Sequence, residues 1–145
     1  MTERLSFQHA VDVRFRDIDL GGHAHHSEAL IYFEEARSAY WRQVVGRQGL
    51  QDIDYILAEM TVRYKQRVLY PDRLDVRVGV VRLGRKHFEM EYEVYSSDGS
   101  LLISGESTQV MYDYSAGVSK RVPEEVAERI TAQDGPFDRR GARIS

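Results

Sequence analysis

Phe15-Arg16-Asp17-Ile18-Asp19-Leu20-Gly21-Gly22-His23-Ala24-His25-His26 is the stretch where one periodicity gives way to another. Before and into it, Val11, Val13 and Phe15 alternate with Asp12, Arg14 and Arg16, which predicts a half-buried strand over residues 10–16. After it, from Ser27, apolar residues recur every three or four positions. Ala29, Phe33, Ala36, Tyr40 and Val44 form that stripe, and Leu30, Trp41 and Val45 widen it into a largely buried helix. Ser27 is the expected N-cap and Glu28 suits the positive end of the helix dipole. Gly46 and Gly49 can end the helix. Between strand and helix, Gly21 and Gly22 admit backbone conformations closed to other residues, as a reversal there requires.

Residues 50–58 are ambiguous, with room for a short helical turn. Strand patterns then follow in quick succession. Met60, Val62 and Tyr64 alternate with Thr61, Arg63 and Lys65; Leu74, Val76, Val78 and Val80 alternate with polar residues. Phe88, Met90, Tyr92 and Val94 do the same against His87, Glu89, Glu91 and Glu93, and residues 101–112 read as one long strand. Turns are marked by Tyr70-Pro71-Asp72, Gly84, Ser97-Asp98-Gly99 and the Tyr114–Gly117 segment. Pro123-Glu124-Glu125 opens a short second helix. The layout is α+β: one strand, one long helix, then about four antiparallel strands. A single helix covers both faces of such a sheet only if the sheet wraps around it.

The chain has 145 residues, enough for one core, and at 42% hydrophobic and 30% charged it is globular rather than disordered. Twenty basic and 23 acidic residues are interspersed, giving a net charge of −3 and no field that advertises nucleic acid or a membrane surface. Cysteine is absent, which excludes disulfides, thiolate metal ligands and a cysteine nucleophile. Met1-Thr2-Glu3-Arg4-Leu5 lacks the pattern of a signal peptide, and no apolar run nears the roughly 20 residues of a membrane span. A cytoplasmic protein is the expectation. Residues 1–131 are expected to form one domain, with 132–145 a loose tail.

The strand, the glycine-rich turn and the helix Ala29-Leu30-Ile31-Tyr32-Phe33-Glu34-Glu35-Ala36-Arg37 resemble the 4-hydroxybenzoyl-CoA thioesterase-like branch of the hotdog superfamily. The similarity runs on through Tyr70-Pro71-Asp72-Arg73-Leu74, the Leu83–Phe88 hairpin and Val122-Pro123. It implies a hotdog fold, about five antiparallel strands around one central helix, and a hydrolase acting on an acyl-CoA or related thioester as a homodimer or homotetramer. It also implies that Asp19 occupies the catalytic position. The chemistry agrees, because a thioester carbonyl needs a carboxylate to attack it or to activate water, and donors for the developing oxyanion. The helix start near His25 and His26 would supply N–H groups. Asp17 reads as structural.

His26, at the helix start, is the second catalytic candidate, and His23 and His25 are expected to line the substrate pocket. This His23-Ala24-His25-His26 run departs from the family's commoner Gly-His-Val-Asn-Asn, so the roles of the imidazoles stay open: capping and lining, or orienting water. A His-x-His pair beside aspartates can ligate zinc, but the spacing matches no metalloenzyme motif, and neither metal nor cofactor is expected. Arg85 and Lys86, on the hairpin resembling the family's nucleotide-contacting region, are the candidates for the CoA phosphates, with Lys120 and Arg121 behind them. Glu34 and Glu35 are expected to be structural, Glu34 pairing with Arg37. Two rival readings share the fold: a non-catalytic acyl-CoA-binding module, and an enoyl-CoA hydratase, whose Asp-x-Asn-Pro-x-His motif is missing here.

Overall fold

The computed structural model describes residues 4–49 and 53–144. In chain order these form β1 (Phe7–Asp12), α1 (Glu28–Tyr40), β2 (Tyr55–Tyr64), β3 (Arg73–Leu83), β4 (His87–Tyr95), β5 (Leu101–Asp113), β6 (Val118–Ser119) and α2 (Glu124–Asp134). Every pairing is antiparallel, in the order β1-β3-β4-β5-β2, with β6 appended to β5. The sheet curls about α1, which is the hotdog arrangement. β6 is too short for periodicity to reveal.

Alternation built the sheet as expected. Leu74, Val76, Val78 and Val80 of β3 and Phe88, Met90, Tyr92 and Val94 of β4 are all buried. The register Val76↔Val94, Val78↔Tyr92 and Val80↔Met90 sets them side by side beneath the helix. β5 is different in its middle: between the buried Leu102 and Ile103 and the buried Met111, the inward positions are Gly105, Ser107 and Gln109. Gly105 is needed for a close approach. A Cβ built on it would lie 2.8 Å from Phe33 Cε2 and would also clash with the Thr61 carbonyl oxygen. Phe33 fills that dip and stacks on Tyr92, ring centroids 4.4 Å apart.

The helix buries Ala29, Tyr32, Phe33, Ala36, Arg37, Ala39 and Tyr40, then widens into a π-helical turn, Trp41–Val45, that ends at Gly46 with φ 87°. Leu30, expected on the apolar face, is exposed, as is Ile31, and Val44 is only half-buried. The buried face is rotated because residues with polar ends find partners inside it. Tyr32 donates to Asp17 at 3.1 Å, and Arg37 Nη1 donates to Tyr92 Oη at 3.0 Å. Tyr92, Ser107 and Gln109 continue that buried line of hydrogen bonds.

The first strand also ends earlier than its pattern predicts. Residues Phe15–Asp17 form a 3₁₀ turn, and Phe15 is 77% exposed. The Asp17 carboxylate accepts the Arg14 N–H at 2.9 Å, which draws the chain out of extended geometry and buries Asp17 in place of Phe15. Of the ambiguous 50–58 segment, residues 50–52 lie outside the described residues and Tyr55 already begins β2.

The second helix runs past residue 131 to Asp134, which is buried. Its carboxyl oxygens accept Ser6 Oγ and Tyr40 Oη, each at 2.6 Å, and the Val80 N–H at 3.0 Å. Burial, then Asp134, push the Tyr40 phenol well above its usual range, so it stays a donor. Residues expected as a loose tail also bond to the sheet: the Leu83 N–H donates to Gly141 O at 2.8 Å, and Arg143 N–H to Val81 O at 3.1 Å. Among the described residues no helix is long and apolar enough to cross a membrane.

Asp134→Ala would leave three donors without their acceptor. It is expected to cost about 3 kcal/mol, at roughly 1 kcal/mol or more per stranded partner. Urea denaturation is the check; a midpoint shift worth under about 1 kcal/mol would show that the carboxyl is no net tie.

Candidate active site

The loop from β1 to α1 folds back on itself through backbone bonds. The Asp19 N–H donates to His23 O at 2.9 Å, and Gly22 N–H to Asp19 O at 3.1 Å. The His25 N–H donates to Asp17 O at 2.8 Å. Gly22 takes φ +85°, which its lack of Cβ permits, and a Cβ on Gly21 would sit 3.1 Å from both Asp19 Oδ1 and His23 Nε2. The double glycine thus lets a carboxylate and an imidazole share one tight turn. Asp17, 3% exposed, anchors the turn to α1 by accepting the Tyr32 hydroxyl. Burial, then Asp17, push the Tyr32 phenol far above its usual range, so it remains protonated and donating.

Asp19 is half-buried, and its Oδ1 accepts the Gly21 N–H at 2.8 Å, while Oδ2 has no partner among the described residues. Next to it the helix begins without a side-chain cap. Ser27, expected to cap, instead faces His25, with Oγ 2.8 Å and backbone N 3.2 Å from His25 Nδ1. The His26 N–H has no acceptor among the described residues, and Tyr64 Oη donates to the His26 carbonyl at 2.5 Å. The His25 and His26 rings lie 4.1 Å apart. Burial, then the Asp17 charge, raise the Glu28 carboxyl above its ordinary range in the first turn.

These groups face a cavity of about 350 Å³. Asp19, His23, His25 and His26 line one side; Tyr64, Lys65, Gln66, Arg67 and Val68 line the other, with Ala29, Tyr32 and Ile103 as the apolar floor. The Ala24 N–H donates to Val68 O at 2.8 Å and ties the two walls together. The four expected residues of the loop are therefore gathered in one place. Tyr32, Tyr64, Lys65 and Arg67 were not foreseen. Only the basic run Lys65-Gln66-Arg67, directly after a strand pattern, offered a signal.

Arg85 and Lys86 are not part of this cavity. They line another, of about 950 Å³, with Arg121, Arg139 and Arg140. Ile103 marks the first cavity, and the Met111 N–H donates to Lys86 O at 2.8 Å. The two residues are separated along β5 by roughly 26 Å, at ~3.3 Å per residue. Lys120 is engaged with Asp54 at 3.0 Å, which leaves Arg121 of that second pair in the basic cavity. Glu34 approaches Arg37 at 4.0 Å and Glu35 pairs with Arg14 at 3.5 Å. Among the described residues, no group of three or more His, Asp or Glu could hold a metal ion.

The family model described as the thioesterase-like superfamily matches residues 13–130. A Thermus thermophilus thioesterase solved with coenzyme A and zinc is 34% identical, with a TM-score of 0.78, covering 86% of this chain and 96% of that one. Two more distant structures show the same fold. A Staphylococcus aureus protein in complex with CoA is 17% identical, with TM-score 0.81 and coverage of 96% of this chain and 87% of its own. A 1,4-dihydroxy-2-naphthoyl-CoA thioesterase from Synechocystis is 20% identical, with TM-score 0.78 and coverage of 90% and 98%.

Asp17 and Asp19 differ in burial and in partners, and that difference is measurable. Asp17→Asn puts an amide N–H₂ where two donors converge, and is expected to lower unfolding stability by about 1–3 kcal/mol. Paired thermal melts of Asp17→Asn and Asp19→Asn are the check: the first should melt well below the second.

Proposed function

Because the chain belongs to the thioesterase-like superfamily, we propose that it hydrolyses acyl-coenzyme A thioesters to the free acid and the thiol, with Asp19 as the reacting carboxylate. The observation that carries this reading is the Asp19 side chain. One oxygen is fixed by the Gly21 N–H, the other has no partner among the described residues, and Asp19 borders a partly apolar cavity at the start of α1. The free oxygen either attacks the thioester carbonyl carbon or takes the proton of an attacking water. In both cases the carbonyl oxygen gains charge, which the unpaired His26 N–H at the positive end of α1 stabilises. Collapse of the tetrahedral species releases the thiolate, which takes up a proton. In the water route the free acid leaves directly; in the attack route the acyl group stays on Asp19 as an anhydride that a water then hydrolyses to the free acid, restoring the carboxylate. His23 and His25 bound the substrate, and the His26 ring orients the water or the acyl group.

The CoA phosphates are assigned to Arg85 and Lys86. About thirteen bonds separate the thioester sulfur from the diphosphate, roughly 15 Å when extended. That falls short of the same chain's Arg85, so this assignment requires the basic cavity of a second subunit. A homodimer, or a homotetramer built from it, has independent support. β2 ends the sheet and, among the described residues, its outer edge is unpaired, while Ile56, Leu57 and Tyr64 on it and Leu30 and Ile31 on α1 are exposed. Tyr64 belongs both to that edge and to the cavity wall, so a second subunit there would border the reacting carboxylate.

Two measurements test the proposal. Sedimentation at micromolar concentration should give a dimer or a larger even assembly, and a monomer would contradict the paired site. A thiol-release assay over a panel of acyl-CoA substrates should show turnover that Asp19→Asn cuts by at least about 10²-fold, the lower end of what a general base contributes. Normal hydrolysis by folded Asp19→Asn protein would sink the mechanism.

A further inference from the structure

Resting on the reading of Asp19 as the reacting carboxylate, we infer that Lys65 and Arg67 select thioesters whose acyl group carries its own anion, a carboxylate above all. The two side chains line the same cavity as Asp19. Neither makes a hydrogen bond or an ion pair, with Asp19 or with any other described residue. Many other basic residues are already engaged: Arg14 with Glu35, Arg63 with Glu106, Arg47 and Lys120 with Asp54. Two cations left open in one cavity present donors that a bound anion would satisfy.

Their position is fixed by the backbone. Lys65 and Gln66 N–H groups both donate to Leu102 O, at 2.8 and 3.1 Å. Two residues on, Val68 is buried and accepts the Ala24 N–H. The segment between these anchors is therefore held opposite the Asp19 turn and is not a swinging arm.

Size decides which anion the pair meets. A volume of about 350 Å³ is that of a sphere ~9 Å across. If the thioester carbonyl lies against Asp19, an anion a few bonds along the acyl group falls within that span. The CoA diphosphate, roughly 15 Å from the sulfur, falls outside it. The acyl floor of Ala29, Tyr32 and Ile103 accommodates the short apolar spacer between the two ends. Both cations are exposed, so each contributes only a few-fold, or about tenfold together.

The test compares carboxylated with neutral acyl groups of matched length, glutaryl against valeryl, on N-acetylcysteamine, which has no phosphate, and on CoA. The wild-type chain should prefer the glutaryl thioester by about tenfold in kcat/KM on both carriers. The double variant Lys65→Met/Arg67→Met, shown folded by its melting temperature, should bring that ratio near one. Calorimetric binding of the non-hydrolysable thioether analogues gives the same comparison without turnover. A preference in binding with no hydrolysis of any thioester would support the anion site while refuting the hydrolase reading. Equal binding and turnover of both acyl types by the wild-type chain would overturn the inference, and so would a double-variant loss confined to CoA esters and indifferent to the acyl group.

Discussion

Phe33 lies in the dip that Gly105 leaves in β5, against the ring of Tyr92. That contact sets how deeply the helix sits in the curled sheet, and almost everything at the site is measured from it. A methyl group at residue 105 would lift the helix off β5 or push β2 away, since the Thr61 carbonyl of β2 crowds the same point. Tyr32, the residue before it on the helix, reaches Asp17; about one turn before Phe33, Ala29 floors the cavity. The height of the helix therefore fixes the position of its first turn, and with it the distance between the His26 N–H and Asp19.

Much of this was legible from the residues. The alternation in β3 and β4 named the buried faces correctly, and the glycine-rich turn and histidine run located the loop that lines the cavity. What escaped has a common physical origin. Periodicity counts apolar side chains, whereas the buried faces of α1 and β5 are set partly by Arg37, Tyr92, Ser107 and Gln109, whose polar ends pair with one another. The same blindness moved the predicted end of β1: Asp17 is buried because it accepts two hydrogen bonds, and Phe15 is left outside. Lys65 and Arg67 carry no periodic signal of a site, since a basic run after a strand is ordinarily a solvated turn.

The two basic regions lie at opposite ends of the sheet. One sits at the Ile103 level of β5 beside Asp19; the other sits at the Met111 level, against the β3–β4 turn and α2. A rigid sheet holds them apart, so no side-chain movement within one chain lets them grip the same short ligand.

Asp134 reaches back 128 residues to Ser6, 94 to Tyr40 and 54 to Val80. One side chain thus closes the segment before β1, the central helix, a middle strand and the second helix into a single ring of contacts. Such a tie resists piecemeal opening: freeing any one of these elements strands a buried partner on the others. It also raises the sequence separation of the contacts the core depends on, so their formation waits on large-loop closure, and local helix and hairpin structure precedes them. Cooperativity is thus carried in part by a polar group, one of the few polar side chains buried among aliphatic and aromatic ones.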